Sequence, residues 1–431
     1  MNFTIAALKA TNPTQFFLRS ILFVGLMGLV TGGFALKADG FASQNGGTTG
    51  GTGGKTVRAS TGTEIHKAMC SRGSKTEPII IEVEGTINHG NTSKQSGSCN
   101  TAKDLIEIKE VSNITIKGVG KGAVFDQLGI HIRSSKNIIL QNLTIRNVKK
   151  SGSPTSNGGD AIGMESDVSN VWVDHCTLEA SGGENEGYDG LFDMKKNTKY
   201  VTLSYSILRN SGRGGLVGSS DTDKNSGPVT FHHNIYKNID SRTPLLRAAT
   251  AHSYNNHFDG ITKSGMNPRL GGKIKAEHNY FENCKNPLGT FYTDKMGSWD
   301  VKGNIWGKGV TWEKGTDETP AGPNPKSTTS ISIPYKYSLD NAACVPEVLA
   351  KTAGANKNLA VSDGSCKAQT LIKAGSTIHG KSHPGFTGYA SYYDLQGRNL
   401  RSSPPAAAAR PIITNRGLVI HGLELHKIYA K

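Results

Sequence analysis

"NVWVDHCTL", Asn170 to Leu178, is one of eight variants of a single phrase. The others are "NITIKGV", "NIILQNLTI", "YVTLSYSIL", "PVTFHHNIY", "AHSYNNHF", "KIKAEHNYF" and "SWDVKGNIW". Apolar and polar residues alternate through these phrases, the period of a half-buried strand, and Asn and His gather where the phrase turns. Marking the second apolar residue of each gives Ile116, Leu140, Val173, Leu203, Phe231, Tyr254, Ala276 and Val301, spaced 24, 33, 30, 28, 23, 22 and 25 residues apart. Strands this short cannot bury a face alone, so each must stack on its neighbours. The pattern predicts an all-β solenoid, a parallel β-helix. Residues at one phase of successive coils then lie about 4.8 Å apart. Asn234, Asn279 and Asn304 share a phase and are expected to hydrogen-bond along a column. His175, His233 and His278 occupy the preceding phase, where turn and stacking roles fit better than ligation.

Upstream of the repeats, "PIIIEVEG" (Pro78–Gly85) reads as a strand. A short helix is expected before it. Thr61 and Glu64 have capping-box spacing, and Ile65, Ala68 and Met69 fall on one helical face. Residues 43–56, containing "NGGTTGGTGG", read as a flexible Gly/Thr linker. Residues 1–42 read as a signal peptide: Lys9 and Arg19 precede the charge-free run Ser20–Leu36, and a small-residue site follows at Ala42/Ser43. Export permits disulfides, and Cys70–Cys99 and Cys344–Cys366 pair at short separation in loop-rich stretches. Cys176 and Cys284 sit in apolar, strand-like contexts that fit buried free thiols.

The 431 residues carry 49 Lys/Arg against 34 Asp/Glu, a net charge of +15. Much of this lies outside the repeats. Residues 370–431 hold eight basic and two acidic residues, lack the repeat, and read as a disordered tail; residues 43–369 retain +7. A basic surface of this size favours an anionic partner such as an acidic polymer.

The coil register also lines up charge. Asp160 lies 13 residues before Val173, Asp189 14 before Leu203, and Arg242 12 before Tyr254. The segments that follow, "AIGME", "GLFDM", "GLVGS" and "TPLLR", align as strands, which puts Asp160, Asp189 and Arg242 on one side of the solenoid. Asp193 shares the Asp189 strand, and Arg213 enters on the coil between the aspartates and Arg242. Stacked carboxylates repel unless a cation sits among them, and oxygen-only ligands select a hard cation such as Ca²⁺.

At these residues the chain resembles the pectate lyases of polysaccharide lyase family 1. The resemblance rests on "NVWVDHCTL", "YDGLFDMKK" (188–196), "GLVGSSD" (215–221), "VTFHHNIYKNIDSRTPLLR" (229–247) and "AHSYNNHFDGI", in order and at coil spacing, and covers about residues 57–366. It implies a right-handed parallel β-helix that cuts polygalacturonate by Ca²⁺-dependent β-elimination. By matching position it makes Asp160, Asp189 and Asp193 the Ca²⁺ ligands and Arg242 the catalytic base. It makes Arg247, Arg213 and Lys195 substrate-binding residues, Arg213 standing where many members carry a lysine. Gly158 stands where some members have a further Asp. The implied partner is an acidic polysaccharide, met by a secreted monomer that binds neither nucleic acid nor membrane in its mature form.

Three other readings compete. A pectin lyase needs no Ca²⁺, and the pair Asp189/Asp193 argues against it. A β-helix polygalacturonase clusters aspartates around a water, but this chain has no Asp-Asp dipeptide and no "RIK". A non-catalytic polyanion-binding module has no need of Arg242.

Overall fold

The computed structural model describes residues 37–151, 158–364 and 366, with three short strands near the C-terminus. The repeats form a parallel β-helix. Strands Lys136–Gln141, Ser169–Asp174, Lys199–Ser204, Val229–His232, Thr250–Tyr254, Lys273–Glu277 and Ser298–Lys302 pair in parallel, each with the next coil, and build the first sheet. A second sheet runs through Leu143–Arg146, Thr177–Gly182, the start of Ile207–Val217, Ile235–Ser241, His257–Ile261 and Tyr280–Glu282. A third runs through Ile106–Lys109, Ile130–Arg133, Ile162–Glu165, Gly190–Met194, the end of Ile207–Val217, Leu245–Arg247 and Asn267–Arg269.

The expected markers pair rung by rung, with one slip. Ile116, Leu140, Val173, Leu203 and Phe231 are successive partners, but Phe231 then pairs with Ser253, not Tyr254. Ser253 pairs in turn with Ala276. A buried serine at a core phase broke the apolar pattern. The same slip hid one member of the asparagine column. Asn256 joins Asn234, Asn279 and Asn304, and each amide donates to the carboxamide oxygen of the next at 3.0 Å. The three histidines are turn residues, with φ of 49°, 54° and 49° at His175, His233 and His278. His175 and His233 stack on either side of Tyr205 at 5.0 and 4.6 Å.

The interior is a continuous apolar column in which identical phases meet. Tyr236, Phe258, Phe281 and Trp306 stack on successive coils at 4.7, 4.6 and 4.5 Å between ring centres. Helix Gly62–Cys70 buries Ile65 and Met69 against this core. Thr61 caps its N-terminus by accepting from the Glu64 amide at 3.1 Å, while Glu64 answers through the Ser60 amide at 2.7 Å. The disulfides are Cys70–Cys99 and Cys344–Cys366, and Cys176 and Cys284 are buried thiols.

The expected linker is a correction. Residues 43–54 lie against the first sheet. Thr49 and Gly50 donate to Asn137 Oδ1 at 2.7 and 2.8 Å, and Gly51 donates to Thr115 Oγ1 at 2.9 Å. A Cβ on Gly51 would lie 1.9 Å from the Ile79 carbonyl, and one on Gly54 1.9 Å from that of Pro78. The glycines serve close approach of two backbones, a use that composition cannot distinguish from flexibility. Just before this stretch, Phe41 and Ala42 are buried and donate to Thr230 and Thr202, and Asp39 accepts from His232 at 2.9 Å. The rest of the expected signal peptide, residues 1–36, lies outside the described residues. So does most of the tail. Within the separate unit Leu371–Lys431, Ser391–Tyr393, Asn399–Arg401 and Ile420–His421 form a small antiparallel sheet. No helix among the described residues is long and apolar enough to cross a membrane.

Candidate active site

The third sheet positions the charged residues. Asp160 lies just before strand Ile162–Glu165, and Asp189 just before Gly190–Met194, one coil on. Asp193 is inside that second strand and 1% exposed. Its Oδ1 accepts from the Leu216 amide at 3.1 Å on the next coil. Gly190 makes room for it, since a Cβ there would lie 2.3 Å from the same oxygen. Two side-chain cations run through this acidic group. Lys195 Nζ lies 2.8 Å from Asp160 and 2.9 Å from Asp193. Arg213 donates to Asp189 at 2.8 Å and also pairs with Glu184.

Burial makes these charges interact strongly. Burial and the neighbouring carboxylates Asp193 and Asp189 push Asp160 up to about 8, against the pull of Lys195. Burial opposes the charge on Lys195, yet Asp193 and Asp160 hold its pKa above the ordinary lysine range. Burial likewise opposes the charge on Arg213, and Asp189 and Glu184 overcome it.

The donors fit a hard cation in part. Asp160, Asp189 and Asp193 offer only oxygens, the set that Ca²⁺ takes. Asp193 Oδ2 is buried and has no aligned hydrogen bond, although Lys195 lies within ion-pair distance. An oxygen so placed is a ready metal donor. Yet among the described residues no three acidic, His or Cys side chains close into a cage. Lys195 stands between two of the carboxylates and Arg213 engages the third. These residues can supply part of a coordination sphere, with waters or a ligand carboxylate supplying the rest.

The arginines lie further along the sheet. Arg242 sits in the turn between Ile235–Ser241 and Leu245–Arg247 with φ of 62°, a left-handed conformation that costs energy for a bulky residue. The Gly215 amide holds its carbonyl at 2.7 Å. Among the described residues its guanidinium has no hydrogen-bond or ion-pair partner. Burial, then Arg213 and Arg247, lower its pKa against the opposing pull of Asp193 and Asp189. Arg247 differs from the expectation. It is 9% exposed, donates to the Gly218 carbonyl at 2.7 Å, and does not line the large cleft described below.

Arg269 was not anticipated. It pairs with Arg247 one coil on, and its Nε is buried without a partner. Burial and the charge of Arg247 bring its pKa down to about 10. The register contained the signal, since Arg269 lies 22 residues beyond Arg247. No apolar marker draws the eye to it.

Two cavities divide the expected residues. A cleft of about 710 Å³ is lined by Arg213, Arg242, Lys263, Asn267, Arg269 and Tyr292, among others. A smaller one of about 220 Å³ is lined by His131, Asp160, Glu165 and Lys195. Asp189 and Asp193 line neither, and reach the cavities through their pairs with Arg213 and Lys195. The large cleft carries Arg213, Arg242, Lys263 and Arg269 alongside Glu184, Glu186 and Asp240, an arrangement whose cations can pair with an anionic ligand.

Comparison with known proteins points to one family. A family model described as Pectate lyase matches residues 15–358. A pectate trisaccharide-lyase of Bacillus licheniformis is 40% identical over 325 residues, covering 75% of this chain and 87% of its own length. Pectate lyase 3 of Pectobacterium carotovorum is 34% identical over 355 residues, covering 76% of this chain and 92% of its own. Among solved structures, a pectate lyase from Bacillus sp. N165 in complex with trigalacturonate superposes with a TM-score of 0.63 at 32% identity, covering 74% of this chain and 98% of that one. Pectate lyase C from Erwinia chrysanthemi, solved with Ca²⁺, superposes with a TM-score of 0.65 at 30% identity, covering 77% and 99%.

Proposed function

We propose, from the premise that this chain belongs to the pectate lyase family of right-handed parallel β-helices and cleaves pectate, that cleavage is a Ca²⁺-dependent β-elimination carried out by a secreted monomer. The leader then ends upstream of Asp39, because Asp39 to Ala42 are tied into the solenoid.

Elimination on a galacturonate unit removes the C5 proton, expels the C4 oxygen and leaves a 4,5-unsaturated end. The developing negative charge spreads into the C5 carboxylate, so groups around that carboxylate set the rate. Asp160, Asp189 and Asp193 are the residues that would hold Ca²⁺, and the ion would supply Lewis-acid withdrawal of charge from the substrate carboxylate. Arg213 and Lys195 neutralise substrate carboxylates. Arg242 takes the proton. An arginine is a poor base at its ordinary pKa, but here burial and two neighbouring arginines disfavour its charged form. Arg269, one rung beyond Arg247, also repels the charge of Arg242.

One observation carries the reading: Arg242 is held in a left-handed turn, free of any side-chain partner among the described residues and beside the acidic group. The test is the absorbance of the unsaturated product from polygalacturonate. Chelator should abolish it and added Ca²⁺ should restore it. Full turnover in excess chelator would remove the metal from the mechanism.

A further inference from the structure

Every carboxylate expected to hold the metal already holds a side-chain cation that the substrate also needs. Lys195 joins Asp160 to Asp193 at 2.8 and 2.9 Å. Arg213 joins Asp189, at 2.8 Å, to Glu184. Four carboxylates, Asp160, Asp189, Asp193 and Glu184, thus surround the two cations, and a divalent cation brought among them competes for the same oxygens. Room is also limited: Asp193 is 1% exposed, and its Oδ2 faces the Lys195 ammonium at 2.9 Å. A metal on Asp160 and Asp193 must take oxygens that the ammonium occupies, and two cations that close repel strongly at low dielectric.

We propose that Lys195 and Arg213 are exchangeable internal counter-ions, released toward substrate when the metal binds. The proposal rests on the function argued above and goes beyond it by coupling the two ligands. The metal displaces Lys195 from Asp160 and Asp193 and draws Asp189 away from Arg213. Arg213 then faces the large cleft and Lys195 the smaller cavity, where galacturonate carboxylates replace the aspartates. Metal and oligogalacturonate therefore raise each other's affinity, and the coupling is reciprocal because both act through the same ion pairs. Glu184 tunes the exchange: it is the second carboxylate on Arg213 and lies on the rim of the large cleft.

Calorimetric titration with Ca²⁺ alone tests this without turnover. Lys195→Met removes the competing ammonium and keeps the length of the stem. It should bind Ca²⁺ about tenfold more tightly than the native chain, within the usual range of coupling. Its thermal midpoint should also rise further on Ca²⁺ addition. Lys195→Arg keeps the charge and should show no gain. Glu184→Gln should strengthen trigalacturonate binding measured without Ca²⁺ several-fold, because Arg213 loses one of its two anions. Equal or weaker Ca²⁺ affinity in Lys195→Met would overturn the exchange while leaving a Ca²⁺ enzyme intact. Absence of Ca²⁺ binding in both native chain and variant, with chelator-resistant turnover, would instead sink the function on which the proposal rests.

Discussion

The asparagine column and the charged cleft are built by the same repeat and differ in how their stacked groups are satisfied. In the column, Asn234, Asn256 and Asn279 are buried, and each amide reaches both the next carboxamide and a strand carbonyl of the preceding coil. An amide carries donor and acceptor, so identical residues complement one another indefinitely. Along the third sheet beside the cleft, stacked identity works against itself. Arg247 and Arg269 are paired arginines on adjacent rungs, and a buried Nε of each lacks a hydrogen bond, that of Arg247 lying 3.4 Å from Asp221. Asp160 and Asp193 need Lys195 between them. The column spends its hydrogen-bonding capacity on the fold, while the cleft leaves its capacity for a ligand. Polar satisfaction thus separates structural from functional faces of one solenoid.

Substitutions on the two faces should therefore fail in different ways. The largest effect is expected at Arg242. Arg242→Lys keeps a positive charge and loses the planar fork. With the guanidinium as base, kcat should fall by roughly 10²–10⁴ with little change in KM. Steady-state kinetics at saturating Ca²⁺ from neutral to alkaline pH would show this. A near-native kcat would reduce Arg242 to an electrostatic role and leave hydroxide as the base.

Asn256→Ala probes the other face. It strips acceptors from the Asn234 amide groups and leaves buried donors unpaired, a loss of about 1–3 kcal/mol. Denaturant unfolding should record that loss while kcat/KM of the folded protein stays native. A specific activity defect without destabilisation would erase the distinction between the faces.

Arg247→Lys lies between the two. Its guanidinium braces the Gly218 carbonyl as well as contributing charge, so KM should rise about tenfold with a smaller change in kcat. A loss confined to thermal stability would assign Arg247 to the scaffold alone.

Removing residues 370–431 should change least. The family match ends at 358 and the second disulfide closes at Cys366. Circular dichroism and turnover of the truncated chain should match the full chain, and a folded but inactive truncation would show that the tail serves the cleft.

Much of this was legible because a solenoid turns sequence phase into spatial adjacency. The coil phrases gave the strands, and counting back from them brought Asp160, Asp189, Arg213 and Arg242 to one side. The same counting failed where a core position was not apolar. Ser253 shifted one marker, and Asn256 dropped out of its column as a result. The linker failed for a different reason: "NGGTTGGTGG" has the composition of a flexible tether, and only its contacts with Ile79, Thr115 and Asn137 reveal a packed strip.

By itself the sequence determined the parallel β-helix, the family, both disulfides and the residue types of the site, since all of these follow from local pattern repeated along the chain. Tertiary structure alone decided the pairing of charges within the site. Whether Lys195 faces substrate or bridges Asp160 and Asp193, whether Arg247 lines the cleft or braces Gly218, and whether Arg269 belongs to the group at all depend on side-chain direction and burial. Register fixes which rungs are neighbours to within one coil. It leaves undetermined the few ångströms over which a buried charge selects its partner, and over that distance electrostatic energy changes most steeply.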